Sequence, residues 1–268
     1  MLSRTDTHQP RATLRATVLG SGSSGNSLAV QWNGETLLLD CGFSARETER
    51  RLSAAGIDPA SVSAILVSHE HSDHIRGVRV LASRRHIPVY ASRGTRIASC
   101  LDGNVPEVRS LVPGDSLAIG SLTVTAFRTS HDAAEPLGFR FEGPCGSALG
   151  VLTDTGTVTG ESREALSGCD VLAVESNHDR EMLEYGPYPW FLKRRISSTE
   201  GHLSNDAAAE LIAELASDRL QRVVGMHLSS TNNTSRLATV SLGRALARLG
   251  HPATVEAAVQ ERPCVLIA

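Results

Sequence analysis

The chain is 268 residues long, 41% hydrophobic, with a formal net charge of -3 and a pI near 6.4. That excludes a global attraction to nucleic acid, so any such binding must come from a local patch, and it leaves enough apolar mass for one large core. The five cysteines (Cys41, Cys100, Cys145, Cys169 and Cys264) are odd in number and lack a CxxC pair, which argues against a disulfide framework or a zinc ribbon and for a reducing, cytoplasmic setting.

Residues 1–12 are polar, contain Arg4, Asp6, Pro10 and Arg11, and read as a flexible tail without the apolar core of a signal peptide. Residues 13–268 read as a single domain. A strand over 13–19 leads into Gly20-Ser21-Gly22-Ser23-Ser24-Gly25-Asn26-Ser27. This loop has the glycine density to approach a phosphate but lacks the Gly-Lys-Ser/Thr ending of a P-loop, so a tight turn and no nucleotide cofactor are expected. Strands over 28–32 and 35–40 flank Asn33-Gly34, a strong hairpin signal. A helix over 45–55 closes at Gly56. Strands at 64–68, 88–91, 107–111, 122–127, 137–141, 149–153 and 171–175 then follow, with helices near 75–85 and 161–166. The last third is more helical. Ser204 is placed to cap a helix over 205–216 and Thr234 one that runs to 249, while a strand at 222–226 delivers His227. No apolar run is long enough to span a bilayer, so no membrane association is expected.

The most informative stretch is His69-Glu70-His71-Ser72-Asp73-His74, four potential metal ligands within six residues, directly after the apolar run Ala64-Ile65-Leu66-Val67. A strand ending at Val67 leaves His69 and His71 extended, where residues two apart point the same way and can grip one ion. Asp73 and His74 then fall at the turn into a helix beginning near Ile75, aimed at a second ion. A polar loop that is merely histidine-rich is the alternative. Three further candidates each follow an apparent strand, where loops from a rigid sheet can converge: His131, Asp154 and His227.

This order, HxHxDH followed by His, Asp and His, with an acid ending a strand at Asp40, resembles the metallo-β-lactamase superfamily. The resemblance implies an α/β (α+β) fold, a four-layer αββα sandwich. It also implies a ligand set, with His69, His71 and His131 on one divalent metal, Asp73, His74 and His227 on a second, and Asp154 bridging. Asp40 would support the metal loop from behind by orienting a ligating histidine. Longer phrases are similar to the YycJ (WalJ) group of bacterial metallo-hydrolases over roughly residues 17–233: Gly20 to Ser27, Ser130-His131-Asp132, Thr153-Asp154-Thr155-Gly156, Glu175-Ser176-Asn177-His178, Gly201-His202-Leu203-Ser204 and His227-Leu228-Ser229. That similarity implies 5′→3′ DNA exonuclease activity and a part in mismatch repair. Glu175-Ser176 and Gly201-His202 also resemble motifs of larger processing nucleases, in which a Glu orients a His near the leaving group. Those relatives carry an inserted clamp domain. Only 26 residues separate Glu175 from His202 here, so no such insertion is expected.

The expected reaction is therefore dinuclear-metal-dependent phosphodiester hydrolysis, with Asp73, Glu175 and His202 as catalytic residues. Two cations, Zn or Mn, with Fe and Ni also suited to imidazole and carboxylate ligands, would share a water ionised to a bridging hydroxide. His202 would protonate the departing 3′-oxygen. A surface histidine near the Ser204 cap is the plainer reading of His202, and the role of His178 stays open. Lys193-Arg194-Arg195, just after Trp190-Phe191, is the dense basic run and with Asn205 and Asn232 makes the expected DNA contact. A solvated helix face and helix capping are the ordinary alternatives for these residues. Two other functions compete: a small-molecule hydrolase, either a glyoxalase-type thioesterase or a lactamase, and a non-catalytic metal-binding regulatory protein.

Overall fold

The strands are apolar on both faces, and the two-residue period of a strand sorts those side chains into separate layers. In β1 (Arg15–Gly20), β2 (Ser27–Trp32) and β3 (Glu35–Leu39), the residues Val18, Val30, Leu37 and Leu39 join one buried cluster, while their neighbours Leu19, Ala29 and Leu38 join another. The same alternation runs through β10 (Ala148–Leu152) and β11 (Val171–Glu175): Val151 and Ala173 face the first cluster, Leu152 and Val174 a third. A computed structural model, which describes residues 13–267, shows the result; the expected 1–12 tail lies outside the described residues.

Two seven-stranded sheets stack face to face. The first runs β14 (Cys264–Ile267), β1, β2, β3, β4 (Val62–Leu66), β5 (Val89–Ala91), β6 (Val108–Ser110). The second runs β13 (Thr254–Ala257), β12 (Arg222–Met226), β11, β10, β9 (Leu137–Glu142), β8 (Leu122–Arg128), β7 (Ser116–Ile119). Between them lies the central cluster, which includes Phe139 and Phe141. The outer face of the first sheet buries Leu52 of α1 (Ala45–Ala54) and Leu81 of α3 (Val78–Arg85). That of the second buries Leu166 of α5 (Gly160–Leu166), Leu211 of α8 (Asn205–Leu215) and Leu242 of α9 (Ser235–Arg248). The layers are thus helix, sheet, sheet, helix, the αββα sandwich.

Local signals explain most boundaries. Asn33 and Gly34 both take positive φ (49° and 86°), the conformation of a two-residue hairpin turn. Ser204 caps α8 by accepting from the Ala207 amide, and Thr234 caps α9 by accepting from Leu237. One expectation needs correction. The helix anticipated over 75–85 is two: α2 (Ser72–Ile75) starts three residues earlier and so includes Asp73 and His74, and α3 begins only after Gly77. The helical ladder breaks there because the Gly77 amide donates to the Cys41 carbonyl and the Asp73 carbonyl accepts from the Asn26 amide, both at 2.8 Å; a Cβ at Gly77 would come within 2.3 Å of the Phe43 carbonyl, so only glycine fits this close approach. Sequence patterning also missed α4 (Arg93–Ala98), β7, α6 (Arg180–Tyr185), α7 (Trp190–Ile196) and the two C-terminal strands, all short and weakly periodic. No helix among the described residues is long and apolar enough to cross a membrane.

Candidate metal centre

Strands β3 and β4 run parallel, as do β10, β11 and β12, and β8 points the same way as β10 because β9 is antiparallel to both. Their C-terminal ends therefore open along one edge of the sandwich, and every candidate ligand lies just beyond such an end. Three of these residues are turned into the site by an unusual backbone. Asp40, Asp154 and His227 follow β3, β10 and β12 with φ of 59°, 51° and 52°. Left-handed φ is uncommon outside glycine, and half of the six such non-glycine residues described here sit at this site.

The side chains meet in overlapping groups whose ligand atoms lie within 4.8 Å of one another: His69, His71 and His131; Asp73, His74 and His227; His69, His74 and Asp154; and Asp154, Glu175, His202 and His227. Asp154 sits between the two histidine triads. Its Oδ2 is 3.2 Å from His74 Nε2, and its Oδ1 is 3.3 Å from His227 Nδ1 and 3.9 Å from His131 Nε2. An outer set of acceptors orients the rings. His74 Nδ1 donates to Asp40 Oδ2 (2.7 Å), His131 Nδ1 to the Gly201 carbonyl (3.0 Å), and His227 Nδ1 to Glu175 Oε1 (3.1 Å). Asp40 also accepts from the Ser68 amide and hydroxyl, both at 2.8 Å, which pins the start of the HxHxDH loop.

Electrostatics follow from burial and from these partners. His69, fully enclosed, is held well below the usual imidazole range by desolvation and by the neighbouring His74. Burial opposes charge on His74 and His227 as well, yet Asp154 beside both outweighs it, raising His74 well above its ordinary value and His227 to about 10. Burial would raise Asp154, but His227 and His74 hold it well below the carboxylate range. Glu175 is likewise brought to about 2 by His202 and His227 against the cost of burial.

A pair of divalent cations fits these residues. The Nε2 atoms of His69 and His227 are buried with no hydrogen-bond partner, which is costly unless an electron-pair acceptor faces them. The donor set is imidazole and carboxylate without thiolate, suited to Zn, Mn, Fe or Ni.

The remaining expected residues are placed as follows. His202 Nδ1 donates to Glu175 Oε1 at 2.7 Å, and its ring centroid lies 5.1 Å from that of His131 and 5.2 Å from that of His227. Lys193, Arg194 and Arg195 lie on α7. Lys193 donates to the Glu184 carbonyl, and Arg195 is ion-paired with Asp132 at 2.5 Å. Asn205 is buried, accepts from the Ser176 hydroxyl at 2.6 Å, and donates to Asn233 at 3.0 Å, joining loops together. Asn232 is also fully buried and presents nothing to solvent.

Three residues at the site were not singled out from sequence. Asn26 Nδ2 donates to Asp73 Oδ2 at 3.1 Å, Ser68 links Asp40 to His69 and His74, and Asp132 Oδ1 lies 3.3 Å from His131 Nε2. Only position hinted at them, since Asn26 closes the glycine-rich loop and the other two adjoin histidines. The loop's tight turn has a purpose here: Ser21 Oγ accepts from the His227 amide and Asn26 reaches Asp73, tying two members of the second triad to the loop between β1 and β2.

The two sheets, the flanking helices and a histidine–carboxylate cluster at one edge define a metallo-hydrolase of the β-lactamase type. The family described as "Beta-lactamase superfamily domain" matches residues 35–228, and the chain belongs to the metallo-β-lactamase superfamily. Among named relatives it is 41% identical to exodeoxyribonuclease YycJ of Bacillus anthracis over 240 residues, covering 88% of this chain and 90% of that one. It is 35% identical to exodeoxyribonuclease WalJ of Streptococcus pneumoniae over 238 residues, covering 86% and 87%. Among solved structures, the metallo-β-lactamase fold protein YhfI of Bacillus subtilis superposes with a TM-score of 0.71 at 17% identity, over 96% of this chain and all of that one. The protein is a metal-dependent hydrolytic enzyme of this superfamily.

Proposed function

We propose that the enzyme is a dinuclear-metal phosphodiesterase that removes nucleotides from the 5′ ends of DNA. The observation that carries this reading is the Glu175 carboxylate. Its Oε1 accepts from His227 Nδ1 and from His202 Nδ1, so one buried acid orients a residue of the second triad and a histidine that neither triad requires. The relatives named as exodeoxyribonucleases support DNA as substrate, and the αββα fold by itself would serve other hydrolyses equally.

In this reading His69, His71 and His131 would hold one cation, and Asp73, His74 and His227 the other, with Asp154 between them. When bound, two such cations supply an ionised water at neutral pH and offset charge that builds on phosphorus. The chain's own residues do the rest. Burial lowers the pKa of His202, but Glu175 outweighs it and raises the pKa above the ordinary imidazole value, which favours the protonated ring. With Nδ1 committed to Glu175, the Nε2 proton remains to be given to a departing 3′-oxygen. Asp40 and Gly201 keep His74 and His131 in the tautomer that leaves Nε2 free of its proton. Lys193 and Arg194 on α7 supply local positive charge that the overall balance lacks.

The test is digestion of end-labelled duplex and single-stranded DNA with added Mn or Zn, comparing wild type with Asp73→Ala. Loss of successive nucleotides from 5′ ends, absent in the variant, is the expected result. Equal activity in both proteins would mark a contaminant. Intact DNA alongside hydrolysis of a thioester would replace this reading with the small-molecule one.

A further inference from the structure

Beyond His202 lies a cavity of about 510 Å³, within the ordinary size of small-molecule sites. It is walled by α6, α7 and the start of α8, and it shares His202 with the metal cluster. Its charged lining is mostly basic, with Arg180, Lys193 and Arg194 against Glu184. Lys193 Nζ donates to the Glu184 carbonyl at 2.7 Å, and Arg180 Nε lies 3.4 Å from Asp206 and 3.3 Å from the Ser204 hydroxyl. The Arg194 guanidinium has no hydrogen-bond or ion-pair partner among the described residues and lies over the exposed Trp190 ring at 5.6 Å. His178 also lines the cavity. It is 3% exposed, and its Nδ1 has no hydrogen-bond partner, a cost that a polar ligand would relieve.

Position decides which part of a substrate belongs here. When a 5′ mononucleotide is released, water adds to phosphorus, the P–O3′ bond of the terminal nucleotide breaks, and that 3′-oxygen takes a proton. The departing nucleotide therefore lies on the side of the proton donor. We propose that this cavity receives the 5′-terminal nucleotide of the strand, with its 5′-phosphate on Arg194, Lys193 and Arg180 and a polar edge on His178. This rests on the nuclease reading above. A pocket of this size walled by helices accommodates one nucleotide.

The experiment pairs two readouts on the metal-loaded protein: calorimetric binding of deoxyadenosine 5′-monophosphate against deoxyadenosine, and digestion of 5′-phosphorylated against 5′-hydroxyl single strands. A charge-assisted phosphate contact is expected to give a preference of about tenfold or more in each. Both preferences fall toward one in Arg194→Ala, a surface substitution, and in Lys193→Ala. DNA digested without regard to the 5′ group, or a preference that survives both substitutions and Arg180→Ala, would overturn the assignment. If wild type leaves DNA intact yet prefers the monophosphate through Arg194, the nuclease reading fails and the nucleotide pocket stands. If DNA stays intact and no preference is seen, both fall.

Discussion

The two sheets furnish the site in different ways. The first contributes a single loop, His69 to His74, with Asp40 behind it, and these residues are fastened to one another: Asp40 to Ser68 and His74, and Asn26 to Asp73. The second contributes isolated residues from the ends of separate strands: His131 after β8, Asp154 after β10, Glu175 at the end of β11 and His227 after β12. One half of the site is thus a local motif that the backbone holds nearly by itself. The other half exists only because parallel strands stop at a common edge. Loss of a supporting partner in the first should be felt mainly by the cation whose ligand it orients, whereas damage to Asp154 in the second should separate the two halves.

The largest effect is expected where the halves meet. Asp154→Ala removes the carboxylate that faces both triads, and kcat/KM should drop about a thousand-fold or more, in line with the several kcal/mol that metal ions contribute. Bound metal measured by mass spectrometry should drop below two per chain; two tightly held ions in this variant would break the picture of a shared acid. Next comes His202→Ala, in which both metals should remain while kcat falls about 100- to 10,000-fold, the usual range for general acid catalysis. Full activity in a metal-replete His202→Ala protein would remove it from the mechanism.

The local half predicts a milder, different phenotype. Asp40→Asn should weaken metal affinity about 10- to 100-fold, the range seen when a partner behind a ligating histidine is lost. Saturating metal should restore most of the rate, and chelator competition would measure the difference. A further effect, small at any single pH, concerns protons. Without metal, Asp154 raises the pKa of His227 to about 10 and that of His74 well above its ordinary value, both against the cost of burial. A cation needs the neutral imidazole, so uptake near neutral pH must release protons, and affinity strengthens as pH rises toward that value, about tenfold per pH unit for each proton released. Calorimetry in buffers of different ionisation enthalpy reads this directly. Uptake with no proton release between pH 6 and 8 would contradict it.

Gly42 connects both views. A Cβ there would fall 1.6 Å from the Asp73 carbonyl and 2.6 Å from the Asn26 amide, so the metal loop packs against this turn with no room for a side chain. The glycine after Asp40-Cys41 is visible in the sequence, but the reason for it is not, because the neighbour lies about thirty positions away.

Hydrophobic alternation, the Asn33-Gly34 turn, the Ser204 and Thr234 caps and the crowded His69 to His74 motif are properties of near neighbours, and the chain's order alone determined them. Local patterning recovered the longer elements for the same reason. What only the tertiary structure decided is which distant residues share space. Glu175 contacts two histidines 27 and 52 positions away, Asn205 is consumed inside the protein, Asp132 joins His131 and Arg195, and His178 borders a cavity with His202. Such meetings depend on strand order and on left-handed backbone at Asp40, Asp154 and His227, set by the packing of two whole sheets. No window along the chain contains that information, because the contacts that impose it are long-range.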